Sequence, residues 1–334
     1  MPLLATADLE IHYTVEGAGP PLVMLHGATS TGPEDFAAQL PAFRRAFRVY
    51  LPDARGHGGT RWEAPPGLTT EQLVADLGAF VDGLGLETFH LVGFSLGGMT
   101  ALTFATRHSE RLRTLLLVGV DVERQPRASV AKRLMDPARI DREDPEWANE
   151  LERRHGPGQG PGAWRRLLPA LATDVARQPL LTPRDLRRVR VPTLLACGDR
   201  DVFVPVTHAA ALYRQLPDAR LLVVPACDHQ VMVSRPGLFN DAAGRFYRET
   251  EAVAVGRAGG AASPAAASRG RPPEAMPEPR LDIRLFDPLW DERVDLAGDG
   301  GEPAGDEAQL TATSRPGAHA GPGAAPPHKP HGGL

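Results

Sequence analysis

Along the first 119 residues the chain switches repeatedly between two hydrophobic periods. Short apolar runs at 9–15, 22–25, 47–51, 88–92 and 113–118 predict strands. Between them, 69–84 reads as the clearest helix. Leu73, Val74, Leu77, Phe80, Val81 and Leu84 recur there at three- and four-residue spacing. Thr69 and Gln72 form a capping box at its start, and Gly85 follows its end. A shorter helix is expected over 36–43, interrupted by Pro41, and another from Leu96 to about His108. Strands alternating with helices imply right-handed crossovers. The expected fold class is therefore α/β, a mostly parallel sheet with helices on both faces.

The pattern changes at Asp121. From 121 to 190 the chain is charged and helical with no strand signal, and a glycine/proline break is expected over 155–162. A strand at 193–197, a helix at 206–216, a strand at 221–224 and a last helix at 238–247 then resume the first pattern. The middle segment thus reads as a helical cap inserted between two strands of one sheet. The expected organisation is a first core part over 1–120, a cap over 121–190, a second core part over 191–250, and a tail over 251–334. The tail holds 12 Pro and 13 Gly among its 84 residues, a composition that predicts disorder. Its one apolar patch, 281–296, reads as a partly collapsed piece of tail or a short docking motif.

Composition narrows the classes. In 334 residues, 42% hydrophobic content supports a sizeable core, and a net charge of -4 gives no nucleic-acid footprint. Cys197 and Cys227 are too few for a disulfide scaffold and read as small core residues. No basic-plus-apolar leader and no run of membrane-span length is visible, so a soluble cytoplasmic protein without a membrane partner is expected. The histidines in the tail are too scattered for a metal site, and neither a metal nor an organic cofactor is expected. The oligomeric state is not legible.

The chemistry centres on Gly93-Phe94-Ser95-Leu96-Gly97, between an apolar strand and a helix. Strand, sharp turn, helix is the context of a nucleophile elbow, where small neighbours admit a serine at positive φ. A serine hydroxyl needs a base to take its proton, and the base needs an acid to fix its tautomer. His229 follows the strand at 221–224, on the same rim as the elbow. For the acid, Asp201 is the first candidate, in Gly198-Asp199-Arg200-Asp201; Asp121 and Asp199 reach the same rim and stand as alternatives. An oxyanion hole would draw on the backbone N–H of Leu96 and of Ala28, the latter in the loop after 22–25. His26 and His57 read as loop-ordering residues. In the cap, Met135, Trp147, Trp164 and Leu167 are candidates to line a substrate pocket or to form cap core. The cap carries 15 Arg and Lys against 11 Asp and Glu, which suggests anionic substrates or merely solvated helix faces.

Taken together, His26-Gly27, Asp53-Ala54-Arg55-Gly56-His57-Gly58, Gly93-Phe94-Ser95-Leu96-Gly97-Gly98, Gly198…Asp201…Val204-Pro205 and His229 resemble the α/β-hydrolase superfamily over 9–249. Within it the chain looks like the capped esterases near biphenyl-hydrolase-like (valacyclovir-hydrolase-like) proteins and enol-lactonases. One departure is Asp228 before His229, where such loops often carry glycine. The resemblance implies a serine hydrolase acting on a carboxylic ester, thioester or lactone of a small molecule. Ser95 at the nucleophile position excludes the haloalkane-dehalogenase branch. C–C bond hydrolases and cofactor-free perhydrolases use the same triad and remain open. So does a non-catalytic ligand-binding protein on this fold.

Overall fold

The computed structural model describes residues 2–7, 9–61 and 68–259. Eight strands form one sheet: β1 (Leu3–Ala5), β2 (Glu10–Glu16), β3 (Pro21–Leu25), β4 (Arg48–Pro52), β5 (Phe89–Phe94), β6 (Leu112–Val118), β7 (Thr193–Gly198) and β8 (Ala219–Val224). Their order is β1-β2-β4-β3-β5-β6-β7-β8. β1 and β2 pair antiparallel at one edge, and every pair from β4 to β8 is parallel. The difference follows from sequence. β5 and β7 are buried along their whole length, as uninterrupted apolar runs require, whereas β2 is only half-buried. β1 was too short to register as an apolar run.

The helices cover both faces. Thr70–Gly83 and Leu96–Arg107 contribute Leu77, Phe80, Leu102 and Phe104 to a core on one side. Phe36, Phe43, Phe239 and Phe246 fill the other. The capping box expected at Thr69 and Gln72 is present. The 36–43 helix is instead two short helices, Gly32–Asp35 and Leu40–Phe43, each with a proline in its first turn.

β3 leads to β4 on one side, while β5 lies on its other side, with Leu25 opposite Gly93. This is the point where strand order reverses, and a crevice opens there at the carboxyl ends. The loops after β3 and β5 meet at that crevice, and those after β6, β7 and β8 line the same rim.

Between β6 and β7 run five helices: Arg127–Leu134, Pro137–Glu143, Pro145–Gln159, Trp164–Arg177 and Pro183–Leu186. In Trp164–Arg177 the buried residues Trp164, Leu167, Leu168 and Leu171 form one stripe at 0, 3, 4 and 7. Burying each leucine contributes about 1.5–3 kcal/mol. The stripe joins Ile140 and Leu151 of the insertion with Leu68, Ala28, Leu96 and Phe203 of the core.

Two further expectations are corrected. The glycine/proline stretch at 155–162 does not break the insertion, because Pro145–Gln159 runs through Pro157 and ends at Gly160. A Cβ on Gly158 would lie 2.0 Å from the Gly58 carbonyl oxygen, so the glycine lets the helix approach the loop after β4. The last helix spans Pro236–Gly259 rather than 238–247, past the residue where the tail was expected to begin. Arg113 holds Glu251 at 3.2 Å there. The 281–296 patch lies outside the described residues.

Candidate active site

Ser95 stands between β5 and the helix Leu96–Arg107 with φ 50° and ψ -109°. A side chain in that region costs of order 1–3 kcal/mol and persists only where the surroundings hold it. Here they do. The Ser95 N–H donates to Val118 O at 2.9 Å, and Gly97 N–H donates to His26 O at 3.1 Å. A Cβ on Gly97 would fall 2.4 Å from the Leu25 carbonyl oxygen, so only glycine lets the helix start this close to β3.

The structure brings His229 and Asp201 together, with Nδ1 of the histidine 2.7 Å from Oδ2 of the aspartate. The other carboxylate oxygen accepts the N–H groups of Phe203 (2.8 Å) and Val204 (3.0 Å). A carboxylate so held accepts a hydrogen bond from the Nδ1–H, which leaves Nε2 as the nitrogen able to act as a base. That Nε2 is buried and has no hydrogen-bond partner among the described residues. The ring lies between Phe94 and Phe203, at centroid distances of 5.0 and 4.6 Å. Below it is Gly119, φ 61°, whose missing Cβ makes the space for the imidazole.

The other two candidate acids engage elsewhere. Asp199 accepts the Cys227 N–H at 3.1 Å, and the backbone donors around it hold its carboxyl below the usual range. It therefore shapes the turn that carries His229. Asp121 pairs with His208 Nδ1 at 2.8 Å, and burial raises its carboxyl.

The loop after β3 is fixed carbonyl by carbonyl. His26 Nε2 accepts the Ala54 N–H (2.9 Å), so its Nδ1 carries the proton and donates to Gly27 O at 2.7 Å. Nε2 of His57 lies 2.9 Å from Ala28 O, and Arg154 Nη1 donates to Thr29 O at 3.0 Å. In a trans peptide the N–H points opposite the C=O, so holding Gly27 O aims the Ala28 N–H the other way. Neither Ala28 N–H nor Leu96 N–H has a backbone or side-chain acceptor among the described residues. Burial lowers His57 to about 4 and His155 to about 2, so both rings are neutral at physiological pH. His155, from the helical insertion, accepts the Gly58 N–H at 3.2 Å and meets the His57 ring at 5.4 Å.

Ser95 opens into a cavity roofed by the insertion. Met135 lines it, together with Ala28, Met99, Val120, Leu171 and Phe203. Trp164 and Leu167 do not line it. They are fully buried in the apolar cluster that joins the insertion to the core. Trp147 lies outside it as well, with the Arg154 guanidinium 5.0 Å over its ring. Sequence reasoning missed the polar lining, Arg127, Asp174 and Gln178. Thr70, first residue of its helix, ties the last two with its hydroxyl 2.7 Å from each. Among the described residues no group of His, Cys, Asp and Glu is arranged to hold a metal ion. No helix there is long and apolar enough to cross a membrane.

Residues 22–242 match the sequence profile of the Alpha/beta hydrolase family, and the chain belongs to that family. Its relatives are hydrolases. Over 70% of this chain and 91% of its own, the 2-hydroxy-6-oxo-2,4-heptadienoate hydrolase of Pseudomonas putida is 30% identical. The 2-hydroxy-6-oxo-6-phenylhexa-2,4-dienoate hydrolase of Burkholderia cepacia is 27% identical over 70% of this chain and 90% of its own. Among solved structures, the enol-lactonase from Burkholderia xenovorans LB400 superposes with a TM-score of 0.60 at 23% identity, covering 74% of this chain and 100% of that one. The chain is accordingly a hydrolase on this fold. A binding protein without activity, one of the sequence expectations, does not fit this company.

Proposed function

We propose that the protein is a serine hydrolase that cleaves a carboxylic ester, thioester or lactone of a small molecule through an acyl-enzyme on Ser95. The observation that carries this reading is His229, tied through Nδ1 to Asp201 at 2.7 Å, with Nε2 buried and unbonded on the rim that bears the strained Ser95. In the proposed cycle Nε2 takes the Ser95 proton as Oγ attacks the carbonyl carbon. Asp201 holds the tautomer and stabilises the imidazolium. The N–H groups of Ala28 and Leu96 receive the oxyanion, each contributing about 3 kcal/mol to the barrier reduction. His229 then returns the proton to the leaving group. Water, deprotonated by the same Nε2, releases the acid and frees Ser95.

The names of the curated relatives favour a second reading, in which the same groups cleave a C–C bond beside the ketone of a 2-hydroxy-6-oxo-dienoate. Both readings require Ser95. A fluorophosphonate probe should label the protein, with the adduct on Ser95 by mass spectrometry, and Ser95→Ala should abolish labelling and turnover of short p-nitrophenyl esters. An adduct elsewhere, or full activity in the variant, refutes both. Ester turnover absent beside rapid cleavage of a 6-oxo-dienoate selects the second.

A further inference from the structure

The Ser95 cavity contains a polar group that acyl transfer leaves unused. Asp121, just after β6, lines the cavity and is fully buried. Its Oδ2 is bonded to His208, on the helix Val206–Gln215. Its Oδ1 is also buried but has no hydrogen-bond partner among the described residues. The counter-charge is close and still does not fill the position. Arg127 Nε lies 3.6 Å from Oδ1, beyond hydrogen-bond reach, and its Nε and Nη2 are turned to Glu123 O at 3.4 and 3.1 Å. The charge of Asp121 is thus offset by Arg127 and by the nearby Glu123 amide, while Oδ1 itself accepts no hydrogen bond of good geometry among the described residues. Buried acceptors are normally satisfied, and an exception in a cavity calls for an occupant that donates. Of the remaining polar lining, both Asp174 oxygens and the Gln178 amide oxygen are engaged by Thr70. Much of the rest of the cavity wall is apolar: Met99, Val120, Ala131, Met135 and Leu171.

We infer that Asp121 is a specificity residue whose Oδ1 accepts a hydrogen bond from a hydroxyl or ammonium group of the substrate while Ser95 attacks its carbonyl. The inference rests on the proposed role of Ser95. His208 holds the carboxylate so that this one oxygen faces the cavity. An apolar substrate would leave Oδ1 bare, and a site built to bond a donor discriminates against the analogue lacking it.

The test uses the full chain and p-nitrophenyl butanoates carrying hydroxyl, amino or methyl at carbon 2, 3 or 4. At one position at least, the hydroxyl or amino ester should exceed its methyl isostere in kcat/KM by roughly tenfold to a hundredfold, the range of a hydrogen bond to a charged group. Amino above hydroxyl identifies an ammonium as the donor; equal gains identify the hydrogen bond alone. Asp121→Asn should abolish the preference, because the amide oxygen keeps the His208 bond and turns an NH2 towards the cavity. Methyl esters hydrolysed as well as their counterparts at every position overturn the inference, as does an unchanged preference in Asp121→Asn. The substrate panel on the unmodified protein decides even where that variant does not fold. If no ester is turned over and Ser95 takes no fluorophosphonate, the role of Ser95 fails and the inference falls with it.

Discussion

The space beneath His229 makes a quantitative test of the proposed base. In Gly119→Ala the new Cβ would sit 2.7 Å from His229 Cε1 and 2.8 Å from Nδ1. Carbon atoms in ordinary contact are about 3.5–4.0 Å apart, so the ring must retreat by roughly 1 Å. Phe94 and Phe203 flank it and Asp201 tethers it, so any retreat strains these contacts. A misplacement of about 1 Å at a reacting group costs on the order of a hundredfold in rate. The substitution also places alanine at φ 61°, which costs about 1–2 kcal/mol. For a folded part of this size that lowers Tm by roughly 2–8 °C. Gly85 separates the two effects. Its φ is 66°, and a Cβ there meets nothing within 4 Å. Gly85→Ala should therefore lose similar stability and keep its rate. Stopped-flow or steady-state ester hydrolysis gives kcat, and a thermal melt gives Tm. If Gly119→Ala is as active as Gly85→Ala, the ring below which Gly119 lies is not the base.

Three further outcomes are expected. Asp201→Asn should lower kcat by about 10⁴, since it removes the carboxylate that selects the Nδ1–H tautomer; Asp199→Asn should leave kcat within a small factor and lower Tm. Equal losses in the two would relocate the acid. His155 has a folded pKa of about 2 against about 6.5 unfolded, so above pH 6.5 neither state holds its proton. As pH falls below 6.5 only the unfolded chain takes it up, and the fold loses stability, by about 2 kcal/mol at pH 5. In His155→Gln, urea unfolding at pH 7 and 5 should show a smaller drop by about that amount; an identical drop would mean that His155 is not buried neutral. Thr69→Ala should cost about 1 kcal/mol in the same assay, because the hydroxyl caps the helix Thr70–Gly83.

Much of this was readable from the chain because the candidate site sits at strand ends. Buried strands announce themselves as apolar runs, and Ser95, Asp201 and His229 each follow one. The choice among Asp121, Asp199 and Asp201 is different in kind. All three reach one rim, and which carboxylate meets Nδ1 depends on how two loops lie against each other. A Cβ on Gly198 would fall 2.2 Å from the carbonyl oxygens of Cys227 and Asp228, a contact of the two loops that no local pattern encodes. The cavity wall was least legible. Helical period identifies a buried face in Trp164–Arg177, and it does not tell whether that face meets the insertion or the substrate. The two most conspicuous candidates, Trp164 and Leu167, belong to the packed cluster between insertion and core, while Asp174 and Gln178 on and just past the same helix reach the cavity. Arg154 and His155 were overlooked because the glycines and the proline just after them read as a break.

Those two residues join what are often treated as separate modules. Arg154 grips the loop after β3 through Thr29 O, and His155 touches the ring beside Ala28 O. The same guanidinium is anchored to Glu34 at 2.7 Å and to Glu150 at 3.0 Å, so it spans core and insertion. The roof over the cavity is therefore also a strut for the proposed oxyanion donor. Grafting a foreign roof onto this sheet to change what fits would loosen the donor at the same stroke, unless the graft brought its own arginine and histidine to the same two places. A change of roof that removes Arg154 and His155 would therefore alter the support of the proposed donor together with the shape of the cavity.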